Sequence, residues 1–126
     1  MNLAAATGPS FSVAHITLTA VITAALALAG ALWRLPRRTA AGLADTAAVA
    51  VLAFASVLLW RWSANMPQLN ADGLQGFSAN DWAAPVLTYV LLGLYADVRP
   101  PADPRRYGQT RALAFAASLA VNVITI

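Results

Sequence analysis

Four apolar stretches, separated by connections that hold nearly all the arginines, constrain this chain more than any other feature. A segment that crosses a hydrocarbon core of about 30 Å must be almost free of charge over roughly 20 residues. Phe11–Trp33 meets that requirement alone, and Asp45–Trp62, Trp82–Val98 and Ala112–Ile126 are shorter versions of it. The last would reach only about 22 Å as a helix, so Arg111 is expected to snorkel and lengthen it. The pattern predicts an all-α integral membrane protein. A single domain of four transmembrane helices, over residues 11–33, 45–62, 82–98 and 111–126, would form a compact bundle.

Composition agrees with that solvent. The 126 residues are 60% hydrophobic and only 10% charged, whereas soluble domains carry about 25% charged residues. The length leaves no room for a separate soluble domain. Cysteine is absent, which excludes disulfides, thiolate metal sites and thiol catalysis. Every cation is arginine and every anion aspartate, and alanine abounds, the signature of a GC-rich bacterial genome such as that of an actinobacterium.

The arginines set an orientation. Arg34, Arg37 and Arg38 follow the first span, and Arg99, Arg105, Arg106 and Arg111 lie between the third and fourth. The connection over residues 63–81 has no Lys or Arg, although Arg61 stands just before it. Basic residues in short loops stay on the cytoplasmic side. The expected arrangement therefore has both termini outside, cytoplasmic loops over residues 34–44 and 99–110, and an external loop over 63–81. The expected location is the bacterial cytoplasmic membrane, crossed several times. Residues 1–10 carry no positive side chain, so the first span reads as an uncleaved helix rather than a signal peptide. The net charge of +3 is explained by topology, and no direct nucleic-acid binding is expected.

Local signals place the helix ends. Pro9 and Ser10 would open the first helix, with Ser10 as N-cap, and the second would start near Asp45, whose charge suits a helix N-terminus. Trp60, Arg61 and Trp62 would meet the headgroups together. The external loop has turn-rich composition without helix or strand periodicity. Ser78 and Asp81 have capping-box spacing, Pro85 falls near the first turn of the third helix, and Arg99-Pro100-Pro101 ends it.

Lipid removes the hydrophobic drive for helix association, so small residues and polar contacts must hold the helices together. Candidate seams are Ala20, Ala24, Ala27 and Ala31; Ala25 and Ala29 beside Gly30; Ala47, Ala50 and Ala53; and Ala112, Ala116 and Ala120. Gly93 would admit a close helix crossing. Asn122, with Ser118 one turn before it, is expected to bond across a helix interface. His15 is an intramembrane ionisable group and hence a candidate relay or ligand, but it lacks a second histidine or carboxylate at helical spacing. An interfacial contact suits it better. Thr17, Thr19 and Thr23 are expected to bond back to their own helix. Arg34, Arg37, Arg38, Arg105 and Arg106 would serve topology and attract anionic lipid.

No catalytic motif is present, and neither a cofactor nor a metal is expected. Asp72 and Asp81 are too sparse for a calcium loop. The composition points to a non-enzymatic assembly or accessory protein whose partners are the bilayer and other membrane helices, from itself or another protein. The competing class is a membrane-permeabilising oligomer, holin-like or a small channel, in which His15, Thr19, Thr23 or Asn122 would face water. A small transporter would need a central charged group within a span, which the expected spans lack.

The segment Ala117-Ser118-Leu119-Ala120-Val121-Asn122-Val123 fits the pattern Ala-Ser-x-Ala-x-Asn-Val. Gly76 in the loop before the third helix and Pro85 opening that helix supply two earlier landmarks. In these features the chain resembles the SpdB-like group of small actinobacterial membrane proteins linked to plasmid spread. It departs from the group at Tyr89 and Val90, where an Asp-Gly pair is usual, and after Val123, where a histidine is usual. The resemblance implies a membrane component of conjugative transfer between cells, with Asn122 as a shared structural residue.

Overall fold

The computed structural model describes residues 9–74 and 77–126, with side chains placed outside residues 72–76. Gly76, one landmark of the resemblance, lies outside the described residues, as do residues 1–8. The chain is helical, with α1 over Val13–Arg34, α2 over Ala40–Ser63, a single turn α3 over Pro67–Asn70, α4 over Ala79–Val98 and α5 over Pro104–Thr125. A short antiparallel pair, β1 over Asp72–Leu74 and β2 over Phe77–Ser78, lies between α3 and α4. The connection expected to be featureless thus contains both a helical turn and a ladder. Too short for periodicity, they are set by Pro67 at the first position of α3 and by the pairing itself.

The four long helices run up and down in a ring, α1 against α2, α2 against α4, α4 against α5 and α5 against α1. Their starts differ from the sequence expectation for identifiable reasons. Ser12, rather than Ser10, caps α1 by accepting from the His15 amide at 3.1 Å. Thr39 caps α2 by accepting from the Gly42 amide at 3.0 Å, which moves the helix start ahead of Asp45. Asp103 caps α5 and Pro104 occupies its first turn. That helix therefore has 22 residues, about 33 Å at the α-helical rise, with Arg105, Arg106 and Arg111 in its first eight positions. The Ser78 and Asp81 capping box opens α4 as its spacing predicts, and Pro85 sits inside that helix.

Two helices, α1 and α2, are long and apolar enough to cross a membrane, each with a mean hydropathy of 2.0. α4 and α5 carry more polar and charged residues. Burial across the four helices does not follow polarity. Among the described residues, the fully buried positions are as often polar as apolar, and most of the buried apolar ones are alanine or valine. Large apolar residues instead point outward, among them Leu18, Leu26, Val51, Leu59, Val86, Val90, Leu94, Leu113 and Ile124.

The alanine stripes divide along this surface. Ala20, Ala27 and Ala31 are buried in the α1 seam and Ala53 in the α2 seam. Ala25, Ala29, Ala47, Ala112, Ala116 and Ala120 face outward, so those stripes are not seams within the chain. On α5 the packed stripe is Thr110, Ala114, Ser118 and Asn122 instead. Alanine spacing alone could not choose between the two faces, because it recurs on both. Gly42 is the glycine on which the α1–α2 connection depends, since a Cβ there would overlap the Pro36 carbonyl.

Candidate functional site

The polar side chains that the helices bury form three layers between the two ends of the bundle. Helical phase places them: Val49, Ala53, Val57 and Arg61 recur at four-residue spacing on α2, as do Ala84, Thr88 and Leu92 on α4.

The outer layer joins α2, α4 and the extended Pro9–Ser12 segment. Arg61 follows the buried stripe of α2 and points inward, not toward headgroups, with its side chain only 1% exposed. Its Nη1 donates to Asp81 Oδ1 at 3.2 Å. The other carboxylate oxygen, Oδ2, accepts from the Ser78 amide at 2.9 Å. One aspartate therefore caps a helix and neutralises an arginine. The flanking indoles separate from the guanidinium: Trp62 is exposed, while Trp60 donates through Nε1 to Asn80 Oδ1 at 2.9 Å.

Three asparagines complete this layer. Asn80 Nδ2 donates to the Ala64 carbonyl and to Asn70 Oδ1, each at 2.7 Å. Asn70 Nδ2 donates to the Pro9 carbonyl at 2.8 Å and to Asn65 Oδ1 at 3.0 Å. Asn65 grips Phe11 as a strand would, accepting from its amide at 3.0 Å and donating to its carbonyl at 2.7 Å. None of the three was singled out by sequence reasoning. The available signal was three asparagines between Arg61 and Asp81 in and beside a turn-rich connection.

The middle layer joins α2, α4 and α5. Ser56 Oγ lies 2.5 Å from Thr88 Oγ1, which donates to Ser118 Oγ at 3.3 Å. Asn122 is fully buried, but its Nδ2 donates to the Ser118 carbonyl of its own helix at 2.7 Å. The expected partner on another helix is not what this amide uses. Asn122 Oδ1 has no partner among the described residues. On α1, Thr17, Thr19 and Thr23 bond back to the carbonyls of Val13, His15 and Thr19.

His15 lies at the outer end, where Nε2 donates to the Thr125 carbonyl at 2.5 Å and the ring stacks on Phe11. Thr19 and Thr125 add a hydroxyl contact of 3.1 Å. The start of α1 is thereby latched to the end of α5. Among the described residues no cluster of three potential metal ligands occurs.

The inner layer centres on Asp45, which is buried within α2 rather than exposed at its start. It accepts from the Tyr95 hydroxyl at 3.3 Å and the Ala102 amide at 2.9 Å. Tyr107 donates to the Leu92 carbonyl at 2.6 Å. Arg34 donates to Gln109, and Arg106 Nη1 reaches the Arg34 carbonyl at 3.4 Å. Arg106 also pairs with Asp103 at 3.7 Å, and it is exposed, as are Arg37, Arg38 and Arg105.

Gly93 does not admit a helix backbone. It leaves room for the Arg111 side chain, which would collide with a Cβ there. Apolar residues separate the layers: Ala27, Val49, Ala53, Leu92 and Ala114 lie between inner and middle, and Ile16, Ala20, Val57 and Ala84 lie between middle and outer. What the arrangement does chemically is tie the helices together at three heights, with α1 bonded to α5 at the two ends and α2, α4 and α5 joined in the middle. No known protein family, no curated protein and no solved structure matches the chain.

Proposed function

We propose that this chain is a multi-pass protein of the bacterial cytoplasmic membrane, spanning it with α1, α2, α4 and α5, and that it acts without catalysis as an assembly or accessory component. One observation carries the reading. The polar groups of all four helices turn inward to one another, while the exposed positions of the central spans hold alanine, large aliphatic residues and tyrosine. A surface of that kind suits lipid and other membrane helices. The orientation with both termini outside is supported by Arg34, Arg37, Arg38, Arg99, Arg105 and Arg106, which gather at one end of the bundle. Arg61, the exception, is neutralised by Asp81.

The resemblance in Ala117–Val123 extends this proposal to conjugative plasmid transfer, and it stands on that motif alone. The pore reading draws less support. Thr19, Thr23 and Asn122 are buried within one chain, and apolar layers interrupt the polar ones. The test is solute and proton leakage from liposomes containing the inserted protein, beside its Asn122→Leu variant. Tight vesicles are expected from both. Leakage from the parent that the substitution abolishes would overturn the accessory reading in favour of a pore.

A further inference from the structure

We propose that the groove between α4 and α5 at the arginine-rich end binds a phospholipid of the phosphoethanolamine type, with its phosphate on Arg111 and its ammonium on Asp97. The inference rests on the four-span reading. The groove encloses about 430 Å³ and is lined by Val90, Gly93, Leu94 and Asp97 of α4 and by Gly108 and Arg111 of α5, among others. That volume lies within the range of about 300–1,000 Å³ that holds small ligands.

Arg111 is positioned rather than free. Its Nε donates to the Tyr89 carbonyl at 2.8 Å, and its guanidinium lies 3.5 Å from the centre of the Tyr89 ring. The missing side chain of Gly93 makes the space. The terminal nitrogens of Arg111 have no hydrogen bond within the described residues and are not sealed inside the protein. The residue stands two turns into α5, about 10 Å along the helix from Pro104, where an unneutralised cation beside lipid is costly. Asp97 shares the groove but forms no ion pair with it, since the ion pairs among the described residues are Arg61–Asp81 and Arg106–Asp103.

The order of the two charges identifies the lipid. Gly93, which carries the guanidinium, lies one turn deeper along α4 than the exposed Asp97. In a phosphoethanolamine headgroup the phosphate is next to the glycerol and the ammonium lies beyond it, nearer water. The cation of the groove thus meets the phosphate at depth, and its carboxylate meets the ammonium at the shallower level. A glycerol headgroup lacks a cation for Asp97, the added carboxylate of a serine headgroup would repel it, and a choline offers it no N–H donor. The exposed side chains of Val90 and Leu94 continue the groove as an apolar bed for an acyl chain.

Native mass spectrometry of the detergent-solubilised protein tests this. The probes are phosphatidylethanolamine, phosphatidylcholine and phosphatidylglycerol with matched acyl chains, and inorganic phosphate. One phosphatidylethanolamine should be retained about fivefold more tightly than either other lipid, the worth of one partly exposed ion pair. Arg111→Gln should weaken all three lipids, and Asp97→Asn should remove the preference for ethanolamine only. Gly108→Leu should block binding while leaving the fold intact, because nothing stands within 4 Å of a Cβ at Gly108. Equal retention of the three headgroups, a preference for phosphatidylglycerol, binding of phosphate alone, or unchanged binding by Arg111→Gln would each overturn the proposal. Cysteine labelling of the connections, described below, reports on the four-span reading separately, so loss of one reading is distinguishable from loss of the other.

Discussion

Removing the charge of Asp81 while keeping its shape should be among the most damaging single changes in this chain. In Asp81→Asn the amide oxygen still accepts from the Ser78 amide, so the helix cap is largely retained. What is lost is the countercharge of Arg61, whose side chain is 1% exposed and whose Nε and Nη2 already lack partners among the described residues. Breaking a buried pair from one side costs about 3–5 kcal/mol, or roughly two to nearly four decades in the folding equilibrium at about 1.4 kcal/mol per tenfold. Arg61→Met should cost less, because Asp81 keeps the Ser78 hydrogen bonds and the favourable end of the α4 dipole. The double variant Arg61→Met/Asp81→Asn removes both charges and should recover most of the loss, since apolar replacement of a buried pair is often neutral. Unfolding by SDS titration in mixed micelles, followed by circular dichroism, measures all three variants against the parent. The reasoning is refuted if Asp81→Asn costs less than about 1 kcal/mol, the behaviour of an exposed pair, or if the double variant is no better than Asp81→Asn.

Further substitutions probe the packing by the same unfolding assay. Gly42→Ala should destabilise by about 1–3 kcal/mol, the range for overpacking, because its Cβ meets the Pro36 carbonyl. Gly108→Ala, with open space around it, should instead stabilise α5 by about 0.5–1 kcal/mol. Ala114→Phe enlarges a fully buried position and should cost about 1–3 kcal/mol. Ala120→Phe on the exposed face of the same helix should stay within about 0.5 kcal/mol of the parent.

The helices were legible in the sequence because apolar runs and terminators such as Pro36 and Arg99-Pro100-Pro101 are local signals. The start of α5 was hidden by Arg105 and Arg106, which read as a loop although Asp103 and Pro104 supply a cap and a first turn. The inward faces were harder. Polarity commonly marks the exposed face of a helix, but Thr88, Ser118 and Asn122 lie on the buried one. Alanine, which is abundant on both sides, cannot arbitrate. The indole neighbours of Arg61 suggest a headgroup belt, whereas its spacing from Val57 and Ala53 sets it on the buried stripe. Asp45 looks like a helix start by local signals alone, because its partners, Tyr95 and Ala102, lie far along the chain. Long-range pairings of that kind leave no periodicity to read.

The claim that the polar faces turn inward within four membrane spans is tested most directly by cysteine accessibility in intact bacterial cells. The chain has no native cysteine, so single substitutions at Ala41, Gln68, Ala102 and Ala116, all exposed positions, report without background. A membrane-impermeant maleimide should label Gln68→Cys from outside, and should label Ala41→Cys and Ala102→Cys only after the cells are opened. It should leave Ala116→Cys unlabelled in both conditions. Labelling of Ala116→Cys by the water-soluble reagent, or of Ala102→Cys from the same side as Gln68→Cys, would contradict the four-span bundle.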